Sequence, residues 1–109
     1  MVINEDRANQ IGSHWVAIYA QNNEHVFYFD SYGDEPNKLI KLYLNTNYKK
    51  ITRNVIRIQN VFSNSCGHFC IYFIYLMCLG LNFDNVVKLM SSNVDNIDII
   101  VRIFVELIK

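Results

Sequence analysis

The chain has 109 residues, a length that sets one domain spanning 1–109. Of these, 51% are hydrophobic and 14% aromatic, which excludes a disordered tail and supports a real core. Ten basic residues balance ten acidic ones, so the overall charge gives no reason to expect nucleic acid. Residues 1–12 are polar and patternless after Ile3. Ser13 to Ala20 reads as a strand, because His14-Trp15-Val16-Ala17-Ile18-Tyr19 is aromatic and β-branched. Gln21 to Glu24 is turn material, and His25 to Asp30 is a second strand, so the two form an antiparallel hairpin. Ser31 to Pro36 breaks the pattern with Gly and Pro. Asn37 to Tyr48 places Leu39, Ile40, Tyr43 and Leu44 at helical spacing. Ile51 to Gln59 alternates, with Val55, Arg57 and Gln59 on one face and Ile56 and Ile58 on the other, which predicts a third strand.

Asn60 to Ser65 is a loop, and Cys66 to about Leu81 is a central helix closing near Gly80. Within it Phe69 to Leu79 is wholly apolar or aromatic. That run is eleven residues, against the roughly 20 a membrane span needs, so it predicts a buried core helix. Asn82-Phe83-Asp84 caps a short helix through Met90, and Asp95 with Asp98 caps a last helix from Ile99 to Ile108. The fold class expected is α+β: a small, mostly antiparallel sheet packed on the buried helix.

Three cysteines, two of them (Cys70 and Cys78) inside the apolar run, point to buried thiols in a reducing, intracellular compartment and not to a disulfide framework. The first residues show no basic leader with an apolar stretch, so no signal peptide is expected. Six of the ten basic residues (Lys38, Lys41, Lys49, Lys50, Arg53, Arg57) fall in a segment without an acid. A solvated face explains that segment before a DNA or polyanion site does.

The chemistry-bearing residues fall at element ends. Cys66 opens the central helix, where the positive end of the helix dipole and unpaired N–H groups favour a thiolate. His14 begins the first strand and Asp30 ends the second, so a tight hairpin puts both at one open end of the sheet. There the carboxylate can hold an imidazole N–H. Gln59 lies seven residues before Cys66 and can donate to an oxyanion together with the Cys66 backbone N–H. Each has a bland alternative: a small buried cysteine, an edge histidine, a turn-forming aspartate, a loop glutamine. Their convergence at adjacent element ends favours a thiol nucleophile with its base, orienting acid and oxyanion donors. Cys66, His68 and Cys70 do not make a metal site, because on a helix His68 points away from the face the two cysteines share. No metal and no cofactor is expected.

Gly12-Ser13-His14-Trp15-Val16-Ala17, Phe27 to Gly33, Ile58-Gln59-Asn60 and Asn64 to Cys70 together resemble the adenovirus protease (adenain) group. That group extends to the SUMO and other ubiquitin-like-protein proteases and to the adenain-like proteases of polinton-type elements and large DNA viruses. The resemblance covers residues 12–80, and its order of His, acid, Gln and Cys differs from papain's, where Cys comes first. It implies a papain-like core with Cys66 as nucleophile, His14 as general base and acid, Asp30 as its orienting group and Gln59 in the oxyanion hole. Trp15 and Gly67 would lie at the substrate site. Ser65, where SUMO proteases carry Asp, is closer to the viral members. The activity implied is cleavage of viral or mobile-element precursor proteins, in capsid or core maturation, in the host nucleus, cytoplasm or virion. The adenovirus enzyme is stimulated by a viral peptide and by DNA, which gives the basic segment a second reading. Only thirteen residues precede His14, fewer than in the relatives, so a truncated reading frame, a smaller substrate groove or a partner-completed one is expected. The rivals are a SUMO or ubiquitin-like isopeptidase, an acyltransferase on the same scaffold, and a non-catalytic binding fragment.

Overall fold

The computed structural model describes residues 1–5, 14–58, 66–92 and 94–108. Four strands and four helices form there: β1 Val2–Glu5, β2 His14–Ala20, β3 His25–Phe29, α1 Lys38–Asn47, β4 Lys50–Arg53, α2 Cys66–Cys78, α3 Phe83–Ser91 and α4 Val94–Ile108. The fold is α+β around one mixed sheet, in the order β1-β2-β3-β4. The pairings β1–β2 and β2–β3 are antiparallel, and β3–β4 is parallel.

The β2–β3 hairpin forms where expected. Its turn is closed by Asn22, whose Oδ1 accepts from the N–H groups of Glu24 and His25, both at 2.8 Å. Alternation along the strands then splits the apolar residues between two layers. Val16, Ile18, Val26 and Tyr28 pack with Ile40 and Leu44 of α1 on one face. Ala17, Phe27 and Phe29 pack with Phe69, Phe73 and Met77 of α2, and with α3 and α4, on the other. A parallel β3–β4 pair needs a crossover, and α1 supplies it. Asn37 caps α1 by accepting from the Ile40 N–H at 2.9 Å.

Helix α2 is apolar on nearly every side, as a helix covered by a sheet and two further helices must be. Phe73 stacks on Phe29 with ring centroids 4.5 Å apart. The helix ends at Gly80, whose φ of +87° is a left-handed stop. Asn82 caps α3, its Oδ1 2.8 Å from the Asp84 N–H. Among the described residues no helix is long and apolar enough to cross a membrane.

The structure corrects several expectations. The first residues are not patternless: Val2–Glu5 is an edge strand. It was hidden because its one buried residue is Glu5, whose Oε2 accepts from the Tyr28 hydroxyl at 3.3 Å. The third predicted strand is short, ending at Arg53, and residues 54–58 leave the sheet. Helix α4 begins at Val94, not Ile99, so Asp98 is no cap and pairs with Arg102 one turn on, at 3.2 Å. Cys78, in the last turn of α2, is exposed.

Candidate active site

The hairpin register places the polar residues. Ala17 pairs with Phe29, so one step further Asp30 follows β3 while β2 runs on toward His14. Their side chains meet: His14 Nε2 lies 3.0 Å from Asp30 Oδ1. Both are buried, at 2% and 0% exposure, so water does not screen the pair. The same carboxylate oxygen accepts from the Tyr32 N–H at 2.8 Å.

Helix α2 packs across β2 and delivers its first residue, Cys66, to this corner. The Trp15 N–H donates to Cys66 Sγ at 3.4 Å, and the His14 side chain makes a second hydrogen bond to the same sulfur. Since Nε2 faces Asp30, the ring nitrogen left for the sulfur is Nδ1. Burial pushes the Cys66 thiol up and is the largest single influence. The His14 hydrogen bond, the Trp15 N–H, the His14 charge and the Gly67 N–H together outweigh it, and the thiol lies below its ordinary value. Cys70, one turn further into the core, has no such partners. Burial, then the charges of Cys66 and Asp30, hold it well above the ordinary value. The two thiols on one helix therefore differ in kind.

Trp15 is 37% exposed and lies over the start of α2: a Cβ added at Gly67 would sit 3.5 Å from the indole Cδ1. His14, Asp30, Cys66, Trp15 and Gly67 are thus one cluster. Gln59 lies outside the described residues. Ile58, just before it, is buried and donates its N–H to the Ser31 carbonyl at 2.8 Å.

Two neighbours of the cluster were not anticipated. Tyr32 stacks on His14, with ring centroids 5.1 Å apart and planes at 21°. Burial first, then the negative charges of Cys66 and Asp30, raise its phenol, with Arg57 opposing. The hairpin register marks it, since counting on from the Ala17–Phe29 pair places residue 32 opposite His14. Asn54 is buried against the backbone of Asp30. No sequence signal marks it beyond being the first polar residue after a strand.

The basic segment is partly neutralised in place. Lys41 and Arg53 lie 4.0 and 3.8 Å from Glu35, and Lys49 lies 3.4 Å from Glu24. A cavity of ≈ 530 Å³ opens at the opposite end of β2 and β3, between Tyr19, His25, Lys50 and Phe83, and touches none of the cluster.

A buried carboxylate–imidazole pair turned onto a thiol at a helix start, in an α+β frame, defines the class of thiol peptidases. The family model described as the Ulp1 protease family, C-terminal catalytic domain, matches residues 1–105, and the chain belongs to that family of cysteine peptidases. It is 39% identical over 98 residues to a protein of Acanthamoeba polyphaga mimivirus that bears the name of a thiol protease; the match covers 80% of this chain and 32% of that one. It is 32% identical over 102 residues to the protease of Ovine adenovirus D serotype 7, covering 80% of this chain and 50% of that one. The chain therefore spans about a third of one relative's length and half of the other's. In fold it is similar to a crystal structure of the ASFV protease, with a TM-score of 0.67 at 20% identity, over 89% of this chain and 39% of that one.

Proposed function

We propose that the chain is the catalytic core of a cysteine endopeptidase that cleaves viral or mobile-element precursor proteins. The observation that carries this is the 3.0 Å Asp30–His14 contact with the other nitrogen of the imidazole on a thiol held below its ordinary value. Neutral His14, its Nε2–H on Asp30, presents the Nδ1 lone pair and takes the Cys66 proton. The sulfur lone pair then forms the C–S bond to the scissile carbonyl carbon, and the C=O π electrons move onto oxygen. That oxyanion is held by N–H donors at the start of α2 and by the Gln59 amide. When the C–N bond breaks, imidazolium Nδ1–H protonates the leaving amine and a thioester remains. Water, deprotonated by His14, attacks the thioester and releases the acid and the free thiol. Trp15 and Gly67 flank the scissile bond. The reaction requires Cys66 reduced, which suits a reducing compartment. No metal or cofactor takes part in this scheme.

A SUMO or ubiquitin-like isopeptidase is the second reading, favoured by the Ulp1 description of the family. Lys41, Lys49 and Arg53 of the basic segment pair with Glu35 and Glu24, and neither reading calls on the segment. The test is labelling by a thiol-reactive active-site probe at pH 7 in wild type, Cys66→Ala and His14→Ala, followed by hydrolysis of precursor-type peptides and of a tail ending in Gly-Gly. Fast, His14-dependent labelling with cleavage of the first substrate is expected. Labelling of Cys66 at the rate of an ordinary thiol sinks the proposal.

A further inference from the structure

We propose that Asn54 is a positioning residue for this site, its side-chain amide holding the backbone of Asp30 in the orientation that aims the carboxylate at His14. The inference rests on the reading of His14, Asp30 and Cys66 as the reacting triad.

The reason lies in how β4 ends. The parallel ladder with β3 stops at the pair Tyr28–Arg53. A regular continuation would carry residues 54 and 55 alongside Phe29 and Asp30 and satisfy their backbone groups. The chain peels away instead. Asp30 is fully buried, so its N–H and C=O cannot turn to water. Asn54, only 3% exposed, takes the place of the missing rung. Its Oδ1 accepts from the Asp30 N–H at 3.0 Å, and its Nδ2 donates to the Asp30 carbonyl at 2.6 Å, which also accepts from the Gly33 N–H of the turn at 2.8 Å. The second Nδ2 hydrogen goes to the Ile56 carbonyl at 3.2 Å. A primary amide is the side chain that carries an acceptor and two donors on one planar fork. Serine has too few groups, and an ionised aspartate has no donor.

The same amide ties two segments together. Residues 30–33 form the turn after β3, and residues 54–58 run over it. The two are so close that a Cβ on Gly33 would lie 2.8 Å from the Val55 carbonyl oxygen. Ile58 then bonds to Ser31, and the next residue in sequence is Gln59. Asn54 is the pivot from which this segment departs. The acid and the segment leading to the oxyanion candidate therefore share one frame. Freeing the Asp30 peptide rotates its carboxylate away from Nε2 while the core around Phe29 and Phe73 stays packed.

The experiment is the pH dependence of Cys66 alkylation by iodoacetamide, with thermal midpoints, for the whole chain and four variants: Asn54→Ala, Asn54→Leu, Leu44→Ala and His14→Ala. Leu44 packs on the face of the sheet away from α2 and controls for loss of stability alone. Both Asn54 variants are expected to shift the thiolate limb upward by about one pH unit, a roughly tenfold loss of rate at pH 7. Leu44→Ala is expected to lower the midpoint and leave the limb in place. Should Asn54→Ala fail to fold, Asn54→Leu carries the decision, because it keeps the volume, adds no charge and removes the acceptor and both donors. Folded Asn54 variants with the wild-type limb overturn the proposal. A wild-type limb that does not respond to His14→Ala overturns the triad reading, and this inference with it.

Discussion

Asp30→Asn isolates the electrostatic part of the site, because it keeps the shape of the side chain and removes its charge. In the structure the Asp30 carboxylate accepts two N–H groups on one oxygen, from His14 at 3.0 Å and from Tyr32 at 2.8 Å, in a fully buried corner. Opposite unit charges at that separation attract by about 5 kcal/mol at an effective dielectric near 20. Most of this offsets the cost of burying the carboxylate. What remains is the worth of a charge-assisted hydrogen bond, about 1.5–3 kcal/mol. The asparagine also turns an amide donor toward Nε2, which favours the tautomer with its proton on Nδ1, and that tautomer cannot accept the thiol proton. The expected loss is therefore about ten- to a hundredfold in the rate of Cys66 alkylation at pH 7, with a larger loss in peptide hydrolysis, where the proposed scheme has His14 move protons twice. The assay is pseudo-first-order alkylation across pH 5 to 9, with mass mapping of the modified cysteine and a thermal midpoint for each variant. Asp30→Asn protein that is folded and alkylates as fast as wild type would refute the reasoning, because the carboxylate would then be a turn former only.

Other outcomes follow from the same geometry. The Cys66 thiol lies below its ordinary value, so its alkylation should persist at pH values where a free thiol has become unreactive, and His14→Ala should abolish that extension; a profile identical to a free thiol's refutes it. Native protein should label at Cys66 and at exposed Cys78 but not at Cys70, which should react only on unfolding; peptide mapping before and after urea decides. Cys70 is held well above its ordinary value of 9.0, so its neutral form favours the folded state. That contribution is lost as pH rises above the ordinary value, and wild type should lose stability there more steeply than Cys70→Ala in urea titrations. Gly33→Ala meets both a φ of +74° and a backbone oxygen at 2.8 Å; a cost of at least about 1–2 kcal/mol in urea unfolding is expected, and an unchanged midpoint would refute it. Phe73→Ala empties the stack on Phe29 and should cost about 3–5 kcal/mol by the same measurement.

Much of this site was legible because its parts obey short-range rules. His14 and Asp30 could be joined from sequence alone, since a tight hairpin brings the start of one strand to the end of the next whatever surrounds it. Cys66 could be placed because an unbroken apolar run has to be buried and its polar leader has to be at an end. The failures occurred where a polar residue overrides a pattern. Glu5 is buried in β1 with a tyrosine hydroxyl on its carboxylate, so the strand shows no apolar face to read. Ile56 and Ile58 keep the alternation of a strand, yet the ladder ends at Arg53. Beyond it one side chain takes the Asp30 N–H and shares the Asp30 carbonyl with the Gly33 N–H, and Gly33 leaves room for the chain to cross above. Hydrophobic periodicity describes which face of an element is covered, and it is silent on which donor completes a neighbour's backbone. That completion is a long-range event, made 24 residues from Asp30. The same event decides whether the acid at the end of β3 is an ordinary turn residue or a carboxylate held against an imidazole.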